Sequence, residues 1–172
     1  INWGVWMDKG LVEATEGDCI DYNYVLEAII SMCEEFHVEE IAFDPWNSNY
    51  VTSELDKKGY TLIPIQQGFK MLSPMLKDFQ TQALDGRVSC DNEVLMWMNS
   101  NAECKTDNNG NLLLIKQDNN NRNKQSLRID GVVGATMAIG RLCQLIQSGE
   151  VDLRSPEEIE QDMKNLFSSL RW

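Results

Sequence analysis

The sequence predicts an α/β fold, and three observations carry that expectation. Residues 38–65 run as a short apolar stretch, a helical stretch and a second apolar stretch, the pattern of a strand–helix–strand unit with parallel strands. Residues 127–146 carry apolar side chains on most sides, as a helix buried against a sheet does. Each feature also presents an aspartate: Asp44 ends the first strand, and Asp130 stands at the mouth of the apolar helix. Asp44 therefore lies at the C-terminal rim of a parallel strand, where open α/β sheets bind their ligands.

The elements follow in order. Trp3 and Trp6, three residues apart, precede Asp8-Lys9-Gly10, which predicts a helix end closed by Gly10. Residues 11–15 read as a short strand and Gly17-Asp18 as a turn. Asp21 suits the N-cap of a helix over 22–36, whose Val25, Leu26, Ile29, Ile30, Cys33 and Phe36 form one stripe. Val38 to Phe43 is the strand leading to Asp44, and Pro45 stops it. Residues 47–58 predict a helix ended by Gly59, and 60–65 a second strand. Ser73-Pro74 predicts the start of the next helix, with Ser73 as N-cap and Pro74 at the first helical position. That helix stops at Asp85-Gly86-Arg87. Residues 92–101 predict a helix burying Val94, Leu95, Trp97 and Met98. Two strands, 102–105 and 112–116, flank the turn signal Asp107-Asn108-Asn109-Gly110-Asn111. Residues 117–125 are polar, low in complexity and predicted to be mobile. After the apolar helix, Ser155-Pro156-Glu157-Glu158 is a capping box. The helix it opens has Ile159, Met163, Leu166, Phe167 and Leu170 on one face. Such a stripe usually packs within its own fold.

Bulk properties narrow the function. A chain of 172 residues with 42% apolar content supports one well-buried core. No apolar run approaches the ~20 residues of a membrane span. The first residues lack the basic and apolar regions of a signal peptide and an initiator methionine, so a piece of a longer cytoplasmic chain is expected. The five cysteines are scattered without a Cys-x-x-Cys pair, which predicts free thiols in a reducing compartment. With His37 as the single histidine, the composition argues against a His-rich zinc site or a Ser-His-Asp triad. The net charge of −12 disfavours nucleic acid at first sight, yet it is unevenly spread. Residues 1–60 hold 13 acids against 3 bases, whereas residues 61–149 hold 8 against 9. Lys116, Arg122, Lys124 and Arg128 gather just before Asp130, and it is the local field that meets a phosphate.

Two carboxylates at a strand end and a helix start suit a hard divalent cation, which takes oxygen ligands. Mg²⁺ or Mn²⁺ held this way stabilises the attacking and leaving oxygens of a phosphodiester displacement. Two plainer roles stay open at this point. Asp44 can cap the helix after it, and Asp130 can complement a helix dipole. Gln66, Gln67 and Ser73 fall on the same rim and can equally satisfy backbone groups there.

Five blocks in order resemble a known family: Ala42-Phe43-Asp44-Pro45-Trp46-Asn47, Ile63-Pro64-Ile65-Gln66-Gln67-Gly68-Phe69, Leu72-Ser73-Pro74, Trp97-Met98-Asn99-Ser100-Asn101 and Arg128-Ile129-Asp130-Gly131-Val132-Val133. Over about residues 3–148 the chain is similar to the C-terminal nuclease domain of the tailed-phage terminase large subunit. The resemblance implies a ribonuclease H-like mixed sheet flanked by helices, N-terminally truncated, with an added β-hairpin and a C-terminal helix. On that basis residues 1–149 form the partial nuclease domain and 150–172 an amphipathic helical extension. It further implies a metal-dependent endonuclease that cuts concatemeric double-stranded viral DNA during genome packaging in the host cytoplasm, encoded by a phage or prophage.

By the same resemblance Asp44 matches the family's second metal-binding aspartate and Asp130 its third, as ligands of Mg²⁺ or Mn²⁺ in a two-metal site. The first belongs to an opening strand upstream of Trp3 and Trp6. Asp8 is the one nearby substitute, at a predicted helix end. The 172 residues alone are therefore expected to bind metal weakly and to cut little. Lys124 and Arg128 are candidates for contacts to DNA phosphates. The implied partners are an upstream ATPase domain of the same polypeptide, the terminase small subunit and the portal. This chain contains no Gly-x-x-x-x-Gly-Lys-Ser/Thr phosphate loop. The rival expectation is a non-catalytic interaction or regulatory module of the same ancestry. A resolvase-like or transposase-like nuclease fits the intervening blocks less well.

Overall fold

In the computed structural model, which describes residues 2–117 and 127–169, the elements run α1 (Trp3–Asp8), α2 (Tyr22–Glu35), β1 (Ile41–Phe43), α3 (Asn49–Lys57), β2 (Leu62–Pro64), α4 (Phe69–Leu84), α5 (Glu93–Ser100), β3 (Ala102–Thr106), β4 (Leu112–Lys116), α6 (Asp130–Ser148) and α7 (Pro156–Ser169). They fall into two compact units, Ile1–Arg141 and Leu142–Trp172.

In the first unit β1 and β2 pair in parallel, with Ile41, Ala42 and Phe43 opposite Leu62, Ile63 and Pro64. The Ile65 amide donates to the Phe43 carbonyl at 2.8 Å, which ties down the backbone immediately before Asp44. β3 and β4 form a separate antiparallel hairpin, Ala102 opposite Lys116 and Thr106 opposite Leu112. Among the described residues these are two two-stranded sheets, and no strand joins them into one mixed sheet. The hairpin turn is organised by Asp107, whose carboxylate accepts from the Asn109 and Asn111 amides and from Asn111 Nδ2.

The core lies where α4, α6 and the strands meet. Ile65, Leu72, Met75 and Met137 are buried together, with Ala42, Ile63, Leu113 and Val133 packed against them. Each such side chain contributes about 1.5–3 kcal/mol on leaving water. α4 and α6 approach closely at Gly140, where a Cβ would stand 2.8 Å from Met75 Cα. Only a residue without a side chain fits there. A second cluster joins α1 to α5: the Trp3, Trp6 and Trp97 rings lie 5.3–5.9 Å apart, and Lys9 pairs with Glu93 at 2.5 Å.

Three expectations are corrected. Residues 11–15 form no strand, because no strand among the described residues pairs with them. Ser73-Pro74 does not open a helix: α4 starts at Phe69 after the N-cap Gly68, and Pro74 lies inside it. Burial of Leu72, Met75 and Leu76 selects this longer helix, and the Ser73 hydroxyl is used to accept from the Leu112 amide at 3.0 Å. Pro74 is exposed, which leaves the neighbouring carbonyl within reach of water. The apolar helix begins at Asp130 rather than at residue 127.

Within the second unit the end of α6 is closed by Gly149 at φ +78°, and the Glu150 amide donates to the Leu145 carbonyl. The capping box on α7 is present: the Glu158 amide donates to Ser155 Oγ at 3.2 Å, and the Ser155 amide to Glu158 Oε2 at 2.7 Å. Of the stripe predicted on α7, Met163 is exposed; the side chains of Ile159, Leu166 and Phe167, and Leu170, lie outside the described residues. The predicted mobile segment also falls there, apart from Gln117. No described helix is long and apolar enough to cross a membrane.

Candidate functional site

Asp44 leaves β1 half-buried and enters a tight turn. Its Oδ1 accepts the Trp46 amide at 3.0 Å, and Asn47 adopts φ +56°, a conformation Asn tolerates better than most residues. The carboxylate is thereby oriented by its own loop. It does not cap α3, which begins at Asn49 after Ser48. Oδ2 has no hydrogen-bond donor among the described residues. A pocket of about 440 Å³ opens beside it, lined by Asp44, Pro45, Trp46, Gln66 and Gln67.

Asp130 is the first residue of α6 and is exposed. A carboxylate there favours the helix dipole, as one of the plainer readings expects. Its side chain makes no hydrogen bond or ion pair among the described residues. The backbone leading into it is held by Asn101, which is buried and donates from Nδ2 to the Arg128 carbonyl at 3.0 Å. The Gly131 amide points at Met98 Sδ, 3.2 Å away.

Two contacts fix the direction of α6 relative to β1. Arg141 grips Glu40, just before β1, through Nε–Oε1 at 2.5 Å and Nη2–Oε2 at 2.7 Å. Met137, one turn earlier, has its Sδ 3.4 Å from Gln67 Nε2, just beyond β2. Asp130, Met137 and Arg141 are spaced i, i+7 and i+11 and share one helix face. From Arg141 back to Asp130 the helix climbs ~16 Å at 1.5 Å per residue. From Glu40 to Asp44 the strand advances ~13 Å. The two runs start from one ion pair and head the same way, so both aspartates come to the same end of the layer.

The donor set fits a hard cation in part. Two carboxylates without a cationic partner among the described residues suit Mg²⁺ or Mn²⁺, which binds through one or two carboxylates and keeps waters or phosphates as its other ligands. No group of three His, Cys, Asp or Glu side chains able to hold a metal occurs among the described residues. Asp8, the nearby substitute, ends α1.

The remaining candidates divide. Arg128 is exposed just before Asp130 and donates from Nη1 to the Leu127 carbonyl. Lys124 lies outside the described residues. Gln67 has its amide spent on the Ile65 carbonyl and Met137, and Ser73 on the hairpin, whereas the Gln66 side chain is exposed. Asn101 and the Glu40–Arg141 pair were not singled out by sequence. Asn101 closes one of the family-like blocks, which is the signal that could have found it.

Comparison with known proteins completes the picture. The family described as terminase large subunit, endonuclease domain, matches residues 1–144. The terminase large subunit of Enterobacteria phage HK97 is 32% identical over 141 residues, covering 80% of this chain and 27% of that protein. Protein YmfN of Escherichia coli strain K12 is 27% identical over 139 residues, covering 79% and 29%. This chain thus spans less than a third of the length of either. Among solved structures, the HK97 bacteriophage large terminase superposes with a TM-score of 0.69 at 30% identity, over 81% of this chain and 29% of that one. The large terminase nuclease from thermophilic phage G20c gives 0.54 at 14% identity, over 71% and 63%, a likeness of fold. The family match over residues 1–144 includes both aspartates, and the relatives and the fold agree with it: the chain belongs to the terminase large-subunit endonuclease domain family.

Proposed function

We propose that this chain is the nuclease part of a packaging terminase, a divalent-metal-dependent endonuclease that cuts concatemeric double-stranded viral DNA. The observation that supports it is the direction of α6, which turns its N-terminus toward the strand end carrying Asp44. Asp44 and Asp130 would hold Mg²⁺ or Mn²⁺. When bound, such an ion polarises the scissile phosphate and lowers the pKa of a bound water. The chain's own part is positional. The Trp46 amide fixes one oxygen of Asp44, Asn101 holds the backbone before Asp130, and Arg128 and Lys124 meet the DNA phosphates. The parallel β1–β2 pair crossed by α6 supports a ribonuclease H-like reading of the fold, with residues 1–149 as nuclease and 150–172 as extension. An upstream ATPase domain, the small subunit and the portal are the proposed partners.

Two carboxylates make a weak site, so the 172 residues alone should bind metal poorly and cut little. The absence of a three-ligand group among the described residues also favours a second reading, a non-catalytic interaction or regulatory module of the packaging machinery. Plasmid cleavage with Mn²⁺ separates them. We expect cutting by the longer polypeptide that carries this chain, lost in Asp44→Ala and in Asp130→Ala. Absence of cutting there would favour the second reading. Full cutting by the 172 residues alone would contradict the expected weakness. Neutralising Lys124 and Arg128 should weaken binding to all DNA sequences and flatten its salt dependence.

A further inference from the structure

Trp46 is the large side chain that the fold leaves most conspicuously unused beside the candidate site. It is 81% exposed, although burying such a ring is among the larger gains available to a folding chain. It is not displayed by a slack segment. Its amide is bonded to Asp44 Oδ1, and the next residue, Asn47, turns the chain in the left-handed region at φ +56°. The turn that orients the carboxylate therefore also sets the indole on the wall of the same pocket. Gln66 and Gln67 line the same pocket. Gln67 is anchored, while the Gln66 amide is exposed and makes no side-chain hydrogen bond among the described residues.

An aromatic plate, a carboxylate and an amide with both donor and acceptor make a set that matches a nucleotide. The base has a π-face for the indole. The sugar and phosphate offer groups for an amide, and the phosphate sits next to an acid suited to a cation. The volume of about 440 Å³ falls in the range of small-ligand pockets, ~300–1,000 Å³. We propose that Trp46 and Gln66 form a nucleotide subsite beside Asp44, in which the indole stacks on a base displaced from the duplex next to the bond to be cut. The inference rests on the nuclease reading given above and adds to it a preference for locally unpaired DNA. A base must leave its stack to reach the ring, so a strand already melted binds at lower cost. Trp46 is a binding residue in this account, and it leaves Asp44 and Asp130 their own task.

The test is fluorescence-anisotropy binding by the full polypeptide that carries this chain, with Ca²⁺ replacing Mg²⁺. Two probes of identical sequence are compared, a closed duplex and one with a short central bubble. The wild type should bind the bubble more tightly than the duplex. Trp46→Ala should lose about ten-fold on the bubble and little on the duplex, Trp46→Phe should retain most of the preference, and Gln66→Ala should fall between. Because the ring is exposed, thermal unfolding of Trp46→Ala should match the wild type, which keeps the result free of folding effects. A Trp46→Ala variant that keeps the wild-type bubble preference overturns the subsite and leaves the nuclease reading standing. A wild type that binds neither probe overturns both.

Discussion

Helices α2 and α6 are both rich in apolar residues and differ in what the fold does with them. α6 brings Val132 and Met137 to buried positions, follows the buried Ile129, touches α4 at Gly140 without room for a methyl group, and is tied to β1 by Arg141. α2 has a well-formed N-cap at Asp21, yet none of its fourteen residues is buried. Its Leu26, Ile29, Ile30 and Cys33 are half-buried, while Val25 and Met32 are exposed. An apolar stripe shows which face a helix can bury, and the partner decides how much of it is buried. In this chain the helix that carries a candidate ligand is the one that is pinned.

Substitutions at these two helices should therefore diverge widely. Gly140→Val should cost about 3 kcal/mol in thermal or denaturant unfolding, because its side chain would overlap the Met75 backbone. Replacing Glu40 by Gln should cost about 2–3 kcal/mol, since Arg141 keeps its charge in a largely covered place without its bidentate partner. The same variant should also loosen the start of α6, read as faster amide exchange there. Met32→Ser on α2 should change stability by no more than ~0.5 kcal/mol. A cost for Met32→Ser comparable to that of Gly140→Val would break the contrast.

The hairpin gives a smaller, pH-dependent effect. The Asn111 side chain, followed by the Asn111 amide, holds the Asp107 carboxyl below the usual aspartate range. A depressed folded-state value contributes stability that is present above the unfolded value, about 3.9, and lost as pH falls through the folded one. Amide protection in the hairpin should thus hold down to about pH 4 and decline below it. In Asp107→Ala that acid-dependent decline should disappear.

Local patterns made much of the frame legible. Ile41-Ala42-Phe43 before Asp44-Pro45, with a helix and a second apolar run behind, forecast the parallel pair, and Asp21 and Ser155 forecast their caps. Local signals failed where distant packing overruled them. Ser73-Pro74 carries the chemistry of a helix start, but burying Leu72, Met75 and Leu76 on one face needs a helix that begins earlier. Residues 11–15 have strand-like composition, but no strand among the described residues lies beside them. Of the site, the two aspartates were legible as a strand end and a helix start. The ion pair that aligns their elements joins residues 101 apart in sequence and leaves no local trace. The exposure of Trp46 likewise leaves no local trace.

The central claim is that Asp44 and Asp130 serve one divalent cation. Mn²⁺ titration, followed by electron paramagnetic resonance, of the longer polypeptide carrying this chain tests it most directly, using wild type, Asp44→Asn, Asp130→Asn and the double variant. The account predicts that each single substitution weakens the same binding event at least ten-fold and that the double variant loses little more, as expected for two ligands of one ion. Mn²⁺ affinity unchanged in either single variant, or losses that simply add in the double, would contradict it.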